Sequence, residues 1–176
     1  MTEPPVTEVS RGSVGTFPAW RRAIEDLGPV RNGRWAVGGS AALALDGLRV
    51  HPRDVDVIAD HDAASELIET LGEAIRSDEA PWDRGDVRAQ RRALAVLYGV
   101  QVEILVDVEA VDPAGNTVMT SPNLDLAERV LNWRRHVPVL SLTAMLVVQE
   151  ATGKFERARM VRDTLEQRRA GAPSSG

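Results

Sequence analysis

Cysteine is absent from the 176 residues. That excludes a disulfide framework and thiolate chemistry. The three histidines, His51, His61 and His136, lack the short spacings of a zinc site, so loop or surface roles are expected for them. No apolar run approaches the roughly 20 residues that cross a bilayer. The first fifteen residues carry acids and prolines instead of an apolar stretch, so the expectation is a cytoplasmic protein with no membrane partner. Excess positive charge is missing too. The formal net charge is −5, which argues against indiscriminate nucleic-acid binding. Lysine occurs once, at Lys154, and every other basic residue is arginine. Aromatic residues make up 4% of the chain. For two of them, Trp82 and Tyr98, stacking on a base is open, but anchoring is the simpler reading.

What is present suffices for one folded domain, with 43% apolar residues. The expected division is a disordered arm over 1–16, a domain over 17–169 and a disordered tail over 170–176. The chain is organised around residues 37–58. Trp35-Ala36-Val37 is a short apolar strand, broken by Gly38-Gly39. Ser40 can cap a helix that continues through Leu45, and the glycine pair lets an anion come close to the backbone. Arg53-Asp54-Val55-Asp56-Val57-Ile58 then alternates with period two, which puts Asp54 and Asp56 on one strand face and Val55 and Val57 on the other. The two acids lie about 7 Å apart along such a strand. Carboxylate pairs of this kind suit Mg²⁺, which takes oxygen ligands, water and substrate phosphates.

Gly38-Gly39-Ser40, thirteen intervening residues and Asp54-Val55-Asp56 together resemble the signature of the DNA polymerase beta-type nucleotidyltransferases. The likeness is greatest to small single-domain members, which include antibiotic-modifying and toxin–antitoxin enzymes. It spans about 34–107 and weakens to about 165. The resemblance implies an α/β (α+β) nucleotidyltransferase fold: a small mixed, mainly antiparallel sheet flanked by helices, with C-terminal helices completing a cleft. It implies a third acid on a neighbouring strand, best matched by Glu103 within 99–106. Asp54, Asp56 and Glu103 are then the catalytic and metal-ligating residues, holding two Mg²⁺ ions with bound NTP. Gly38, Gly39, Ser40, Arg53 and Lys154 are the implied phosphate-binding residues. The implied reaction moves a nucleoside monophosphate from an NTP to an acceptor hydroxyl and releases pyrophosphate. The acceptor is left open among a small molecule, tRNA and protein, and so are monomer and homodimer. Two departures from the family pattern stand out. Pro52 replaces a common Thr, and Gln149 replaces a common Lys, with Lys154 the nearest substitute cation. Two alternatives remain: a nucleotidyltransferase-like binding module without turnover, and a toxin–antitoxin component acting on tRNA through Arg88, Arg91, Arg92 and the last helix.

Elsewhere the pattern predicts a helix over 17–27 closed by Gly28-Pro29, and a helix after Asp60 or Asp62 ending near Gly72. A charged loop is expected over 77–86. Strands over 93–98 and 100–106 should form a hairpin through Gly99. Asp107 shares the face of Glu103 but lies about 13 Å further along, which suits strand-end solvation. Residues 112–116 read as a turn. Residues 124–133 fit a helix, or a helix followed by a strand. An extended segment over 137–140 precedes a helix capped by Ser141 and broken at Gly153, and a last helix covers about 155–168.

Overall fold

The alternation at 53–58 does form a strand, over Asp54–Ala59, and the rest of the chain is arranged on it. The computed structural model describes residues 17–121, 125–132 and 135–171; the arm over 1–16 and the tail from 172 onward lie outside the described residues. The strands are β1 (Trp35–Val37), β2 (Asp54–Ala59), β3 (Ile75–Glu79), β4 (Trp82–Asp83), β5 (Val87–Ala89), β6 (Arg91–Leu97), β7 (Val100–Val106), β8 (Glu109–Val111), β9 (Thr117–Thr120), β10 (Leu126–Asn132) and β11 (Arg135–Leu140). The α-helices are α1 (Ala19–Asp26), α2 (Gly39–Leu45), α3 (His61–Leu71), α4 (Leu142–Ala151) and α5 (Phe155–Ala170).

A seven-stranded sheet runs in the order β10-β11-β1-β2-β7-β6-β3. Its β2–β7 and β1–β11 ladders are parallel and the other four antiparallel, as the mixed, mainly antiparallel expectation has it. The apolar side chains of β2 and β7 (Val55, Val57, Val102 and Ile104) are fully buried with Ile24, Leu27 and Leu67 from α1, the turn after it and α3. Each such side chain contributes roughly 1.5–3 kcal/mol by leaving water. That burial fixes the register of β2, because a one-residue slip would send its valines to the other face.

Local signals act where the sequence places them. Asp60 Oδ1 accepts from the Ala63 N–H at 2.9 Å to cap α3, while Oδ2 accepts from Arg34 N–H at 2.7 Å. Ser141 Oγ caps α4 by accepting from Ala144 N–H at 3.1 Å. The β6–β7 hairpin turns on Tyr98 and Gly99, with φ of 54° and 75°. Two positive φ values are what a two-residue type I′ turn requires. Tyr98 tolerates its conformation while its hydroxyl donates to Asp26 and its ring carries Arg22 at 4.0 Å.

Three expectations need correction. Residues 77–86 are not one loop, since β3 runs to Glu79 as an edge strand paired with β6. Its acids answer arginines across the ladder, Asp78 accepting from Arg91, so the polar sequence hides a strand. Within 124–133, Leu126–Asn132 is strand throughout; its apolar spacing was ambiguous, and pairing with β11 decides it. Ala170, expected in the tail, belongs to α5. A second sheet, β4-β5-β8-β9, was not foreseen at all. Its strands have two to four residues, too few for a readable period. Among the described residues, no helix is long and apolar enough to cross a membrane.

The far ends of α2 and α5 are joined by a buried acid. Asp46, the C-cap of α2, is 1% exposed in its side chain. Its Oδ1 accepts from Arg129 Nε at 2.6 Å and Arg168 Nη1 at 3.2 Å, and its carbonyl accepts from Arg168 Nη2 at 2.8 Å. Replacing Asp46 with Ala removes the carboxylate both cations share and leaves them only main-chain carbonyls, so urea unfolding should show a loss on the order of 2 kcal/mol. A loss below about 0.5 kcal/mol, as expected for an ordinary surface change, would deny the junction this role.

Candidate active site

The fully buried β1 delivers the chain to Gly38, whose N–H donates to the Asp56 carbonyl at 2.8 Å. Gly38 is the N-cap of α2, and its carbonyl accepts the first helical bond from Ala42 at 3.0 Å. The helix therefore begins before Ser40. Ser40 lies inside the first turn, only 8% exposed, so it neither caps α2 nor lines the cleft described below. Gly39 has φ +57°, and a Cβ there would fall 1.8 Å from Asp56 Oδ2. The glycine pair does admit an anion close to the backbone, and the nearest anion is the Asp56 carboxylate itself.

Asp54 and Asp56 project from one face of β2, and the parallel ladder pairs Asp56 directly with Glu103 on β7. Together with Gly38 and Gly39 they line a cleft of about 690 Å³. The start of α5 contributes Lys154, Phe155, Glu156 and Arg157 to it, and α4 contributes Gln149. The small sheet and its turns add Trp82, Arg84 and Met119. The structure thus brings Gly38, Gly39, Asp54, Asp56, Glu103 and Lys154 to one place. Arg53 is exposed just ahead of β2 and lies outside the lining. Asp107 leaves the strand with φ 49°, donating its N–H to the Ala59 carbonyl at 3.0 Å.

The electrostatics of this floor are unfavourable for anions. Burial, then the neighbouring Asp54 and Glu103 charges, push the Asp56 carboxyl from its ordinary 3.8 up to about 6, against a smaller opposing pull from Lys154 and Arg157. Glu103 has a partner of its own, since Arg92 Nε donates to its Oε1 at 2.5 Å. Among the described residues, no three His, Asp or Glu side chains are gathered into a ready cage for a metal ion. Mg²⁺ does not require one, since it is commonly bound by one or two carboxylates together with water and substrate phosphates. The donor set fits it: carboxylate oxygens on one face, one of them, on Asp56, partly buried at a cost that a divalent cation relieves.

Comparison with known proteins places this geometry. The family model of the aminoglycoside-2''-adenylyltransferases matches residues 22–164. The chain belongs to that family. It is a nucleotidyltransferase, as the Gly-Gly turn and the spaced acids imply. Among solved structures, TM1012 from Thermotoga maritima, assigned as a nucleotidyltransferase, is 23% identical with a TM-score of 0.62, over 83% of this chain and 90% of that one. ANT(2'')-Ia in complex with adenylyl-2''-tobramycin is 18% identical with a TM-score of 0.52, over 82% of this chain and 88% of that one. Both likenesses show the shared nucleotidyltransferase fold. No curated protein matches the chain.

Sequence reasoning missed several residues that this family member brings to the cleft. Arg84 lies in the turn between β4 and β5 of the small sheet, which the sequence pattern does not reveal. Its guanidinium is held protonated chiefly by Asp86, with smaller pulls from Glu103 and Asp56. Arg157 was visible as part of an Arg-rich helix, and its position three residues after Lys154 in the first turn of α5 could have singled it out. Gln149 is 2% exposed, with Oε1 lacking a hydrogen-bond partner.

Two expected outcomes follow from this geometry. Gly39→Ala forces a left-handed residue and displaces the Asp56 carboxylate, costing about 1–2 kcal/mol of stability. Gly38→Ala meets only ordinary contacts at 3.6 Å or more and should cost well under half as much in the same denaturation experiment. The pH profile gives the second. Between 3.8 and about 6 the folded protein retains a proton on Asp56 that the unfolded chain has released. Metal-free stability should therefore fall as pH rises through that window and level off above it. At about 1.4 kcal/mol per pH unit, the ionised carboxylate costs on the order of 2–3 kcal/mol. Asp56→Asn should abolish the slope in melting temperature against pH; a slope that persists belongs to another group.

Proposed function

We propose that the enzyme transfers a nucleoside monophosphate, with ATP as the donor, to a hydroxyl of an amine-bearing small molecule of the aminoglycoside type. One observation carries the reading: Asp56 and Glu103 are direct partners across β2–β7, with Asp54 on the same face, in a cleft that Lys154 and Arg157 also line. Asp54 and Asp56 would hold Mg²⁺, with Glu103 completing the acidic set. Mg²⁺ supplies neutralisation of the charge on the transferred phosphoryl group. Lys154 and Arg157 bind the triphosphate as point charge and planar fork respectively. Of the glycine pair that lines the cleft, Gly39 is the one with a backbone N–H to offer a phosphate, because that of Gly38 bonds the Asp56 carbonyl. Glu103 accepts the acceptor's hydroxyl proton as the oxygen attacks the α-phosphorus. The bond from that phosphorus to the bridging oxygen breaks, and pyrophosphate leaves. Trp82, at the cleft wall, offers an aromatic face to the base or the acceptor ring.

The acceptor class draws its support from the family and from the adenylylated tobramycin that ANT(2'')-Ia carries. It also suits a cleft with four lining carboxylates, Asp54, Asp56, Glu103 and Glu156, because ammonium groups are favoured beside them. The tRNA-directed alternative has less support, since Arg91, Arg92 and Arg162 are engaged with Asp78, Glu103 and Glu150.

Incubation with each α-labelled NTP, Mg²⁺ and a panel of aminoglycosides should label an aminoglycoside and release pyrophosphate. ATP with Mg²⁺ should also raise the melting temperature, because the ligand binds only the folded state. Asp54→Asn combined with Asp56→Asn should abolish both effects while the protein stays folded. Label that passes only to another component of a cell extract would overturn the acceptor class; no pyrophosphate release with any acceptor would overturn the reaction.

A further inference from the structure

The two sheets meet beside Glu103, and Arg92 occupies that corner. In the antiparallel β6–β7 ladder, Leu94 stands opposite Glu103 and Arg92 opposite Leu105. Arg92 is therefore two residues from the partner of Glu103 on the same sheet face, a diagonal that a long side chain spans. Its Nε donates to Glu103 Oε1 at 2.5 Å, while Nη1 lies 3.5 Å from Glu79 Oε1 on β3. Its guanidinium carbon sits 5.2 Å from the centroid of the Trp82 ring on β4. The Arg92 and Glu103 side chains are only 19% and 16% exposed. Water screens such a pair much less than a surface one.

Glu103 on its own has every reason to leave. It stands next to Asp56, with Asp54 on the same face, and like charges at this range repel. A glutamate side chain also has three rotatable bonds with which to turn away. Arg92 removes that freedom by gripping one carboxylate oxygen, and the bond does not use Oε2. Arginine suits the task because its fork has fixed geometry and its flat face rests on an indole, whereas a lysine ammonium supplies charge alone. Arg92 is absent from the cleft lining, so it is not placed to bind nucleotide itself.

We propose that Arg92 is a positioning residue for the transfer reaction. It holds the Glu103 carboxylate at the cleft floor beside Asp56 and, through Trp82, ties the small-sheet wall to that acid. The inference rests on the role given to Glu103 above.

The test is steady-state kinetics on Arg92→Gln, Arg92→Lys, Glu103→Gln and the double variant Arg92→Gln/Glu103→Gln, with ATP, Mg²⁺ and an acceptor the wild type uses. Arg92→Gln should lower kcat by about tenfold or more while the KM for ATP stays within about threefold. Arg92→Lys should recover part of kcat. The double variant should be no slower than Glu103→Gln, because Arg92 acts through that acid. Additive losses, a raised KM with kcat unchanged, or a kcat that rises would each overturn the proposal. If Arg92→Gln fails to fold, Arg92→Lys gives the same reading, with an intermediate loss in kcat that vanishes in the Glu103→Gln background. A second readout needs no turnover. The ¹³C signal of the Glu103 carboxyl, assigned by its loss in Glu103→Gln, should shift and lose order in Arg92→Gln. An unchanged signal overturns the inference whether or not the enzyme turns over. A shifted signal in a protein with no pyrophosphate release upholds the grip on Glu103 and overturns only the reaction. An unaffected kcat in Glu103→Gln withdraws the role of Glu103, and the proposal with it.

Discussion

Parallel pairing of β2 with β7 is the constraint on which the rest depends. It sets the Asp56 and Glu103 backbones side by side at the inter-strand spacing of about 4.8 Å, with Asp54 one pleat away. Left to themselves, three carboxylates so arranged would spread apart or take up protons. Packing on the far face prevents the first outcome. Val55, Val57, Val102 and Ile104 are fully buried there, and neither strand can shift by one residue without exposing them. The acids are held in place by the apolar residues that alternate with them. Energy released on one face of the sheet sustains strain on the other, as is common at functional sites.

Around that floor, each element removes a different freedom from an acid. Gly39 gives the Asp56 carboxylate room that any side chain would fill. Arg92 engages Glu103 from β6. Lys154 and Arg157 oppose part of the negative charge from the start of α5. That helix is fixed at both ends: it follows α4 through the turn at Gly153, and its last turn reaches Asp46 through Arg168. Asp46 closes α2, whose first residues carry the Gly38-Gly39 turn. One short helix therefore links the glycine turn, through a buried ion pair, to the helix that supplies the cleft's cations.

Much of this was legible because local chemistry decided it. The period-two run at 53–58, the caps Asp60 and Ser141, the hairpin through Gly99 and the turn over 112–116 each need only nearby residues. Glu103 was found by resemblance, and the register that makes it the partner of Asp56 is tertiary. Ser40 misled because a serine after two glycines looks like a cap, whereas the helix starts at the glycines themselves. The strand β3 was missed and β10 left ambiguous because both are sheet edges, where polar and apolar residues need not alternate. The small sheet, with Trp82 and Arg84 beside it at the cleft, left no periodic trace. Its strands pair with one another, and β8 and β9 lie against α4. Accordingly, the acid floor and the wall of C-terminal helices with Lys154 could be read in advance, and the small-sheet wall could not.

The walls matter because they divide the cleft by charge. The floor is acidic at Asp54, Asp56 and Glu103, while the start of α5 is net cationic, with Lys154 and Arg157 against Glu156, and Arg84 stands beside the small sheet. On the proposed reading the two substrates carry opposite charge: a triphosphate and an amine-bearing acceptor. A uniformly acidic cleft would repel the first, and a uniformly basic one would repel the second. With the charges separated, the triphosphate is drawn to α5 and the acceptor's ammonium groups to the carboxylates. The acceptor hydroxyl is then presented from the acidic side, where Glu103 stands to take its proton. On that reading, charge separation across the cleft would orient both reactants before any bond changes, and orientation supplies much of the rate in phosphoryl transfer.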